Sequence, residues 1–227
     1  MGFRGIFFDI GWTLMKPRRS WFFSDLFFAR TAPVSDAQLN EAADAAMPIL
    51  EHDHRMDSLQ QEESQFLSFY RAIQRQLPAL ALDDESVKMI AHDKVYNNQN
   101  YIFFDDVKPV LERLRAEYRL GIISDTWPSA ERFLKENKIY DLFDSMTFSY
   151  QLGVFKPDPQ MYQHALQGLG LPAEQTVFVD DSLSCLQGAA ALGITPIQMR
   201  KKPDCPAMTG IPAVESMTEL EQLLHTI

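Results

Sequence analysis

The most constraining feature of this chain is a set of short apolar runs that alternate with helical patterns and end at acidic or hydroxyl side chains. Gly5–Phe8, Leu120–Ile123, Thr176–Val179 and Thr195–Met199 are apolar without strict in-and-out alternation, and Ser145–Phe148 is a weaker fifth run. Continuous apolarity of this kind is expected of parallel strands covered by helices on both faces. Between the runs, Asp106–Tyr118 carries Val107, Val110, Leu111 and Leu114 on one helical face. Ser129–Asn137, Asp158–Leu169 and Ser182–Leu192 also read as helices, the latter two stopping near Gly170 and Gly193. Ser216-x-x-Glu219 is a capping box for a closing helix to Leu224. The fold class this predicts is α/β, a doubly wound parallel sheet. Lys201–Ile227 reads as a short strand and helix that finish the sheet.

The alternation breaks between Met15 and Tyr101, where the pattern is helical and no strand is expected. Ser35-x-x-Gln38 opens a helix to about Leu50 with Pro48 inside it, and Ser58-x-x-Gln61 opens a helix bearing Phe66, Phe69, Tyr70, Ile73 and Leu77. A third starts near Asp84. The expected organisation is therefore a core from 1–14 and 102–227, with 15–101 inserted as an all-helical cap. Ligands of open parallel sheets bind beyond the carboxyl ends of the strands, so the residues there are where chemistry is expected.

Those ends carry Asp9, Ser124-Asp125 and Asp180-Asp181, with Lys156 in the GVFKPDP stretch after the weaker strand. Singly, each aspartate reads as a turn former or helix cap, Ser124 as an N-cap and Lys156 as a surface residue. Their common placement at strand ends is what makes them a candidate site.

In this arrangement the chain resembles the haloacid dehalogenase superfamily, in the subgroup with a helical cap between the first and second motifs. FFDIGWTL is similar to its first motif, GIISD to the second, GVFKPDP to the third and VFVDDSLSCLQGAAALGI to the fourth. The resemblance implies a Rossmann-like core and a hydrolase, most simply a Mg²⁺-dependent phosphatase acting on a small phosphorylated molecule through an aspartyl-phosphate. It implies Asp9 as nucleophile; Asp9, Asp181 and the Gly11 carbonyl as Mg²⁺ ligands; and Asp180 on the ion or its water shell. Ser124 and Asp125 would face the substrate, and Lys156 would hold nucleophile and phosphoryl group. Main-chain N–H groups after Asp9 would cradle phosphoryl oxygens.

Several positions depart from the pattern. Gly11 replaces the second aspartate of the first motif, which protonates the leaving group in the family's phosphatases. Help of that kind is worth about 10²–10⁴ in rate. Trp12 stands where many relatives have glycine, Asp125 where asparagine is usual, and Cys185 where Asp or Asn is common. Activity is thus expected to be weak or atypical. One alternative is a proton taken from the cap, with His52, His54 and Arg55 as candidates near a solvated helix end. Another is a metal-free 2-haloacid dehalogenase, with Arg18, Arg19 or Arg30 on the substrate and Trp21, Phe22, Phe27 and Phe28 lining a pocket. For that stretch, packing as an ordinary amphipathic helix is the plainer reading. A third is a binding protein that keeps the fold without catalysis.

Composition narrows the partners. A net charge of −10 argues against nucleic acid and anionic membranes. Cys185 and Cys205 have no metal-binding spacing, so a reducing cytoplasm is the expected location. Asp9 interrupts the first apolar run too early for a signal peptide, Ile6 does not suit a myristoylation signal, and no run reaches the about 18 residues of a membrane span. A monomer or homodimer is expected.

Overall fold

The computed structural model describes residues 2–52 and 54–227. Met1, in the expected core, and Asp53, in the expected cap segment, lie outside the described residues. In chain order come β1 (Gly5–Phe8), β2 (Met15–Pro17), α1 (Asp25–Arg30), α2 (Asp36–His52), α3 (Leu59–Gln76), α4 (Asp84–Tyr96), β3 (Tyr101–Phe103) and α5 (Val107–Leu114). They are followed by β4 (Arg119–Ser124), α6 (Ser129–Glu136), β5 (Ser145–Phe148), α7 (Ser149–Leu152), α8 (Pro159–Leu169), β6 (Thr176–Asp180), α9 (Leu183–Ala190), β7 (Thr195–Met199), β8 (Ala213–Val214) and α10 (Met217–Leu224). The chain forms two compact units.

The first unit takes the segment ending at Lys16, Phe103–Thr126 and Glu131–Ile227. Its sheet has six strands in the order β5-β4-β1-β6-β7-β8, parallel throughout. Helices flank it, as the continuous apolar runs require: every residue of β1 and β6 is buried. Phe7, Ile123 and Phe178 pack against α8 and α9 through Met161, Tyr162, Ala165, Leu186 and Ala189. Connections leave β1 toward β4 and leave β6 toward β7, so the switch point lies between β1 and β6. Phe8 pairs with Ile122 on one side and Val179 on the other. The register therefore sets Asp9, Ser124 and Asp180 along one rim.

The second unit comprises Pro17–Ile102 and Trp127–Ala130. It is helical, with a core of Phe23, Phe27, Leu39, Ala46, Phe66, Phe69, Tyr70, Val87 and Ile90 among others. The two capping boxes act as expected: the Ser35 hydroxyl accepts from the Gln38 N–H at 3.3 Å and that of Ser58 from the Gln61 N–H at 3.3 Å; the third helix is capped by the Asp83 carboxylate, which accepts from the Ser86 N–H at 2.7 Å. α2 continues past Pro48 to His52. The aromatic stretch is mainly structural. Phe23 and Phe27 are core residues, and Tyr70 donates to the Phe22 carbonyl.

Three expectations need correction. The inserted segment is not free of strands at its ends, because β2 and β3 pair with each other in a two-stranded ladder. Each has three residues, too few to show a period. Trp127–Ala130, expected with the core, groups with the helical unit because Trp127 donates to Gln65 at 2.8 Å and Ser129 is bound by the buried Glu62. His54 is buried, edge-on to Trp127 at 5.1 Å, and does not decorate a solvated helix end.

Candidate active site

Asp9 follows directly on β1. Its N–H donates to the Val179 carbonyl at 2.9 Å, which fixes the residue between β1 and β6, and it is only 7 % exposed. The chain then turns back within a few residues. The Leu14 and Met15 N–H groups both donate to the Ile10 carbonyl, and the Trp12 N–H donates to the Met15 carbonyl at 2.7 Å. Trp12 has φ 56°, in the left-handed region. That conformation costs an ordinary L-residue about 1–2 kcal/mol, so the bend is built under strain. It also engages the Trp12 N–H, which is therefore not aimed at a ligand as expected. The Thr13 hydroxyl is buried without a hydrogen-bond partner among the described residues.

Lys156 arrives from the loop between α7 and α8, after the edge strand β5. α7 ends at Gly153 in the left-handed conformation, and α8 starts with Asp158 as cap and Pro159 in its first turn. Between them, the Lys156 N–H donates to Asp125 at 2.9 Å. Its ammonium donates to Asp9 Oδ1 and to Asp180 Oδ2, each at 2.7 Å, and stands 5.2 Å from the centre of the Phe178 ring. Asp180 Oδ1 accepts from the Ser182 N–H at 2.7 Å. Both oxygens of Asp180 thus meet protein donors, and Asp181 is the outward carboxylate of the pair. Ser124, at the end of β4, is 2 % exposed.

The electrostatics follow from crowding acids around one buried base. Burial pushes the Asp180 carboxyl up to about 7; Lys156 opposes this and Asp9 adds to it. Burial raises Asp181 to about 6 with help from Asp9, and Asp125 to about 6 against the pull of Lys156. For Lys156, burial works against the charge. Asp180, Asp9 and Asp125 outweigh it and hold the ammonium well above the ordinary lysine range. Burial also pushes the Cys185 thiol up to about 11.

The structure thus brings Asp9, Asp125, Lys156 and Asp180 into one hydrogen-bonded group. Ser124 and Asp181 are next to it in the chain, and Gly11 lies in the bend. Among the described residues, no three His, Cys, Asp or Glu side chains form a metal-holding group. Arg18 and Arg19 are engaged locally: Arg18 donates to the Gln99 carbonyl at 2.8 Å, and Arg19 pairs with Asp25 at 3.3 Å while lying over Phe28. Sequence reasoning missed Lys202, whose ammonium is 3.9 Å from Asp181 Oδ2. Extending the strand-end rule past Thr195–Met199 would have found it.

A family model described as a haloacid dehalogenase-like hydrolase matches residues 3–193. The chain belongs to that family, a class of hydrolases on an α/β core. Its relatives include both phosphatases and dehalogenases. It is 30% identical over 94 residues to a phosphatase from Mycobacterium tuberculosis, a match covering 40% of this chain and 43% of that protein. It is 29% identical over 126 residues to an (S)-2-haloacid dehalogenase from Burkholderia cepacia, covering 53% and 54% respectively. The chain thus spans about half the length of these curated relatives. The solved structure of a β-phosphoglucomutase homologue from Thermotoga maritima superposes with a TM-score of 0.70 at 18% identity, over 99% of both chains. That likeness is one of fold.

Proposed function

We propose that this chain is a phosphatase for small phosphorylated molecules, with Asp9 as nucleophile. The observation that carries the reading is the Lys156 ammonium held between Asp9 and Asp180, with Asp125 against its backbone. With Oδ1 bound to Lys156, Asp9 Oδ2 attacks phosphorus, the bond to the leaving oxygen breaks, and an aspartyl-phosphate forms. Water then cleaves that intermediate, releasing phosphate and restoring the carboxylate. Lys156 fixes the nucleophile and offsets charge on the phosphoryl oxygens, and Ser124 donates to one of them. Gly11 offers no proton, so the leaving group departs well only when it is already a weak base. By its place in the chain, the inserted helical unit is assigned the part of a cap.

The site suits a hard divalent cation on the chemistry of its donors. They are all oxygens, and Asp9, Asp125, Asp180 and Asp181 outnumber the one ammonium, Lys156, that two of them bind; the raised carboxyls of Asp125, Asp180 and Asp181 reflect their burial and the charge of Asp9 beside them. Asp9, Asp181 and the Gly11 carbonyl would hold Mg²⁺, with water completing its shell. When bound, the ion supplies charge neutralisation at the transferring phosphoryl group.

The test is hydrolysis of 4-nitrophenyl phosphate with Mg²⁺. Turnover is expected in the native chain and is expected to fall to background in Asp9→Asn. A folded native protein with no turnover overturns the reading. Gly11 favours one other reaction, release of halide from a 2-haloacid, where the leaving group needs no proton. Metal-independent halide release would establish that instead.

A further inference from the structure

We propose that Lys202 recognises a second anionic group on the substrate, carried by the part of the molecule that leaves. The favoured substrates are then phosphomonoesters that also bear a carboxylate or comparable anion. This rests on the phosphatase reading of Asp9.

The argument begins with register. Asp180 pairs with Gln198, so the residues beyond β7 run past the same rim as the acidic pair. The strap that follows is pinned on both sides of Lys202. Gln198 is fully buried. Its amide nitrogen donates to the Pro206 carbonyl at 2.9 Å, and its amide oxygen accepts from the Met208 N–H at 2.9 Å. Arg200 donates to the Cys205 carbonyl at 3.0 Å and pairs with Glu215 at 3.0 Å. Lys201 is buried against Asp106 at 2.8 Å, its ammonium 4.3 Å from the centre of the Phe104 ring.

Lys202 differs from these neighbours. Its side chain is 54% exposed, and at 3.9 Å from Asp181 it is beyond hydrogen-bond reach. A fixed backbone thus presents a solvated ammonium beside the acidic cluster. The other charges that act on Asp181 include the carboxylate of Asp9 and the ammonium of Lys156, whose side chain is 3% exposed and bound to Asp9 and Asp180. An anionic leaving group entering here would be repelled by the acids unless it met Lys202. An exposed pair of this kind contributes about 0.2–1 kcal/mol, or roughly up to fivefold in affinity, and weakens with salt.

The test compares two esters of matched shape, 4-(carboxymethyl)phenyl phosphate and 4-(carbamoylmethyl)phenyl phosphate, with the corresponding non-hydrolysable phosphonates in titration calorimetry. The native chain is expected to favour the carboxylate member about two- to fivefold, through KM and through phosphonate affinity. The preference should fade at high salt, vanish in Lys202→Gln and return in Lys202→Arg. An unchanged preference in Lys202→Gln overturns the proposal. So does an equal loss on both esters, which would mean that Lys202 acts only through Asp181. If neither ester is hydrolysed but the phosphonates are discriminated through Lys202, the phosphatase reading fails and the recognition role stands. Phosphonates that do not bind, or bind without discrimination, overturn the recognition role itself.

Discussion

At the scale of single residues, Asp125 shows how the site trades stability for charge. Its carboxyl is raised from 3.8 to about 6 by burial, against the pull of Lys156. The folded state therefore binds a proton more readily than the unfolded one, and this group's contribution to stability falls as pH rises from about 4 through 6. Asp125→Asn keeps an oxygen for the Lys156 N–H and removes the ionisation cost. We expect it to stabilise the protein by about 1–3 kcal/mol at pH 7.5 and by much less near pH 4, read from denaturant melts at the two pH values. A larger gain at the lower pH would refute this account. Asp9, Asp180 and Lys156 were legible in the sequence because strand ends are set by the apolar runs, and the sheet register then brings distant ends together. Trp12 was legible as a departure, but its left-handed φ was not, since a bulky residue gives no local signal for that conformation. Lys202 was missed because it lies three residues past a strand, in a strap whose course depends on the buried Gln198 amide.

At the scale of elements, the position of Lys156 depends on how closely α9 approaches the start of α8. A Cβ placed on Gly188 would come within 2.7 Å of Pro157 Cβ and 2.9 Å of the Tyr162 hydroxyl. Tyr162 also donates to the Cys185 carbonyl at 2.7 Å, tying the two helices together. Gly188→Ala is expected to lower stability by about 1–3 kcal/mol through overpacking. It should also displace Lys156, reducing turnover more than an alanine at an exposed position of the same helix. Melting temperature and kcat, measured on both variants, check this; native values for Gly188→Ala would refute it. Helices were readable from capping boxes and from apolar faces such as Val107, Val110, Leu111 and Leu114, though their ends fell short of the expected limits where α5 stops at Leu114. β2 and β3 escaped detection because three-residue strands are defined by their partner and not by any pattern of their own.

At the scale of the whole molecule, the net charge of −10 is concentrated in part around a single buried ammonium. Mg²⁺ is expected to stabilise the folded chain. At 100 times its dissociation constant the gain is about 2.7 kcal/mol, several degrees in melting temperature for a chain of this size. Sodium chloride at matched ionic strength should give less, and Asp181→Asn should shrink the difference. Equal shifts from both salts would mean general screening and count against a discrete site. No helix among the described residues is long and apolar enough to cross a membrane. The division into units was legible in outline from the long helical interruption, but not the reassignment of Trp127–Ala130, which depends on side-chain partners far away in sequence. The central position of β1 has a last consequence. On the ribosome β1 is made before the other strands of its sheet, and its partners begin only at Arg119 and Thr176. The helical unit makes most of its contacts between successive helices and can close early. The nascent chain therefore carries an unpaired, wholly apolar strand until those partners are made, an interval in which a chaperone's hold on β1 would matter most.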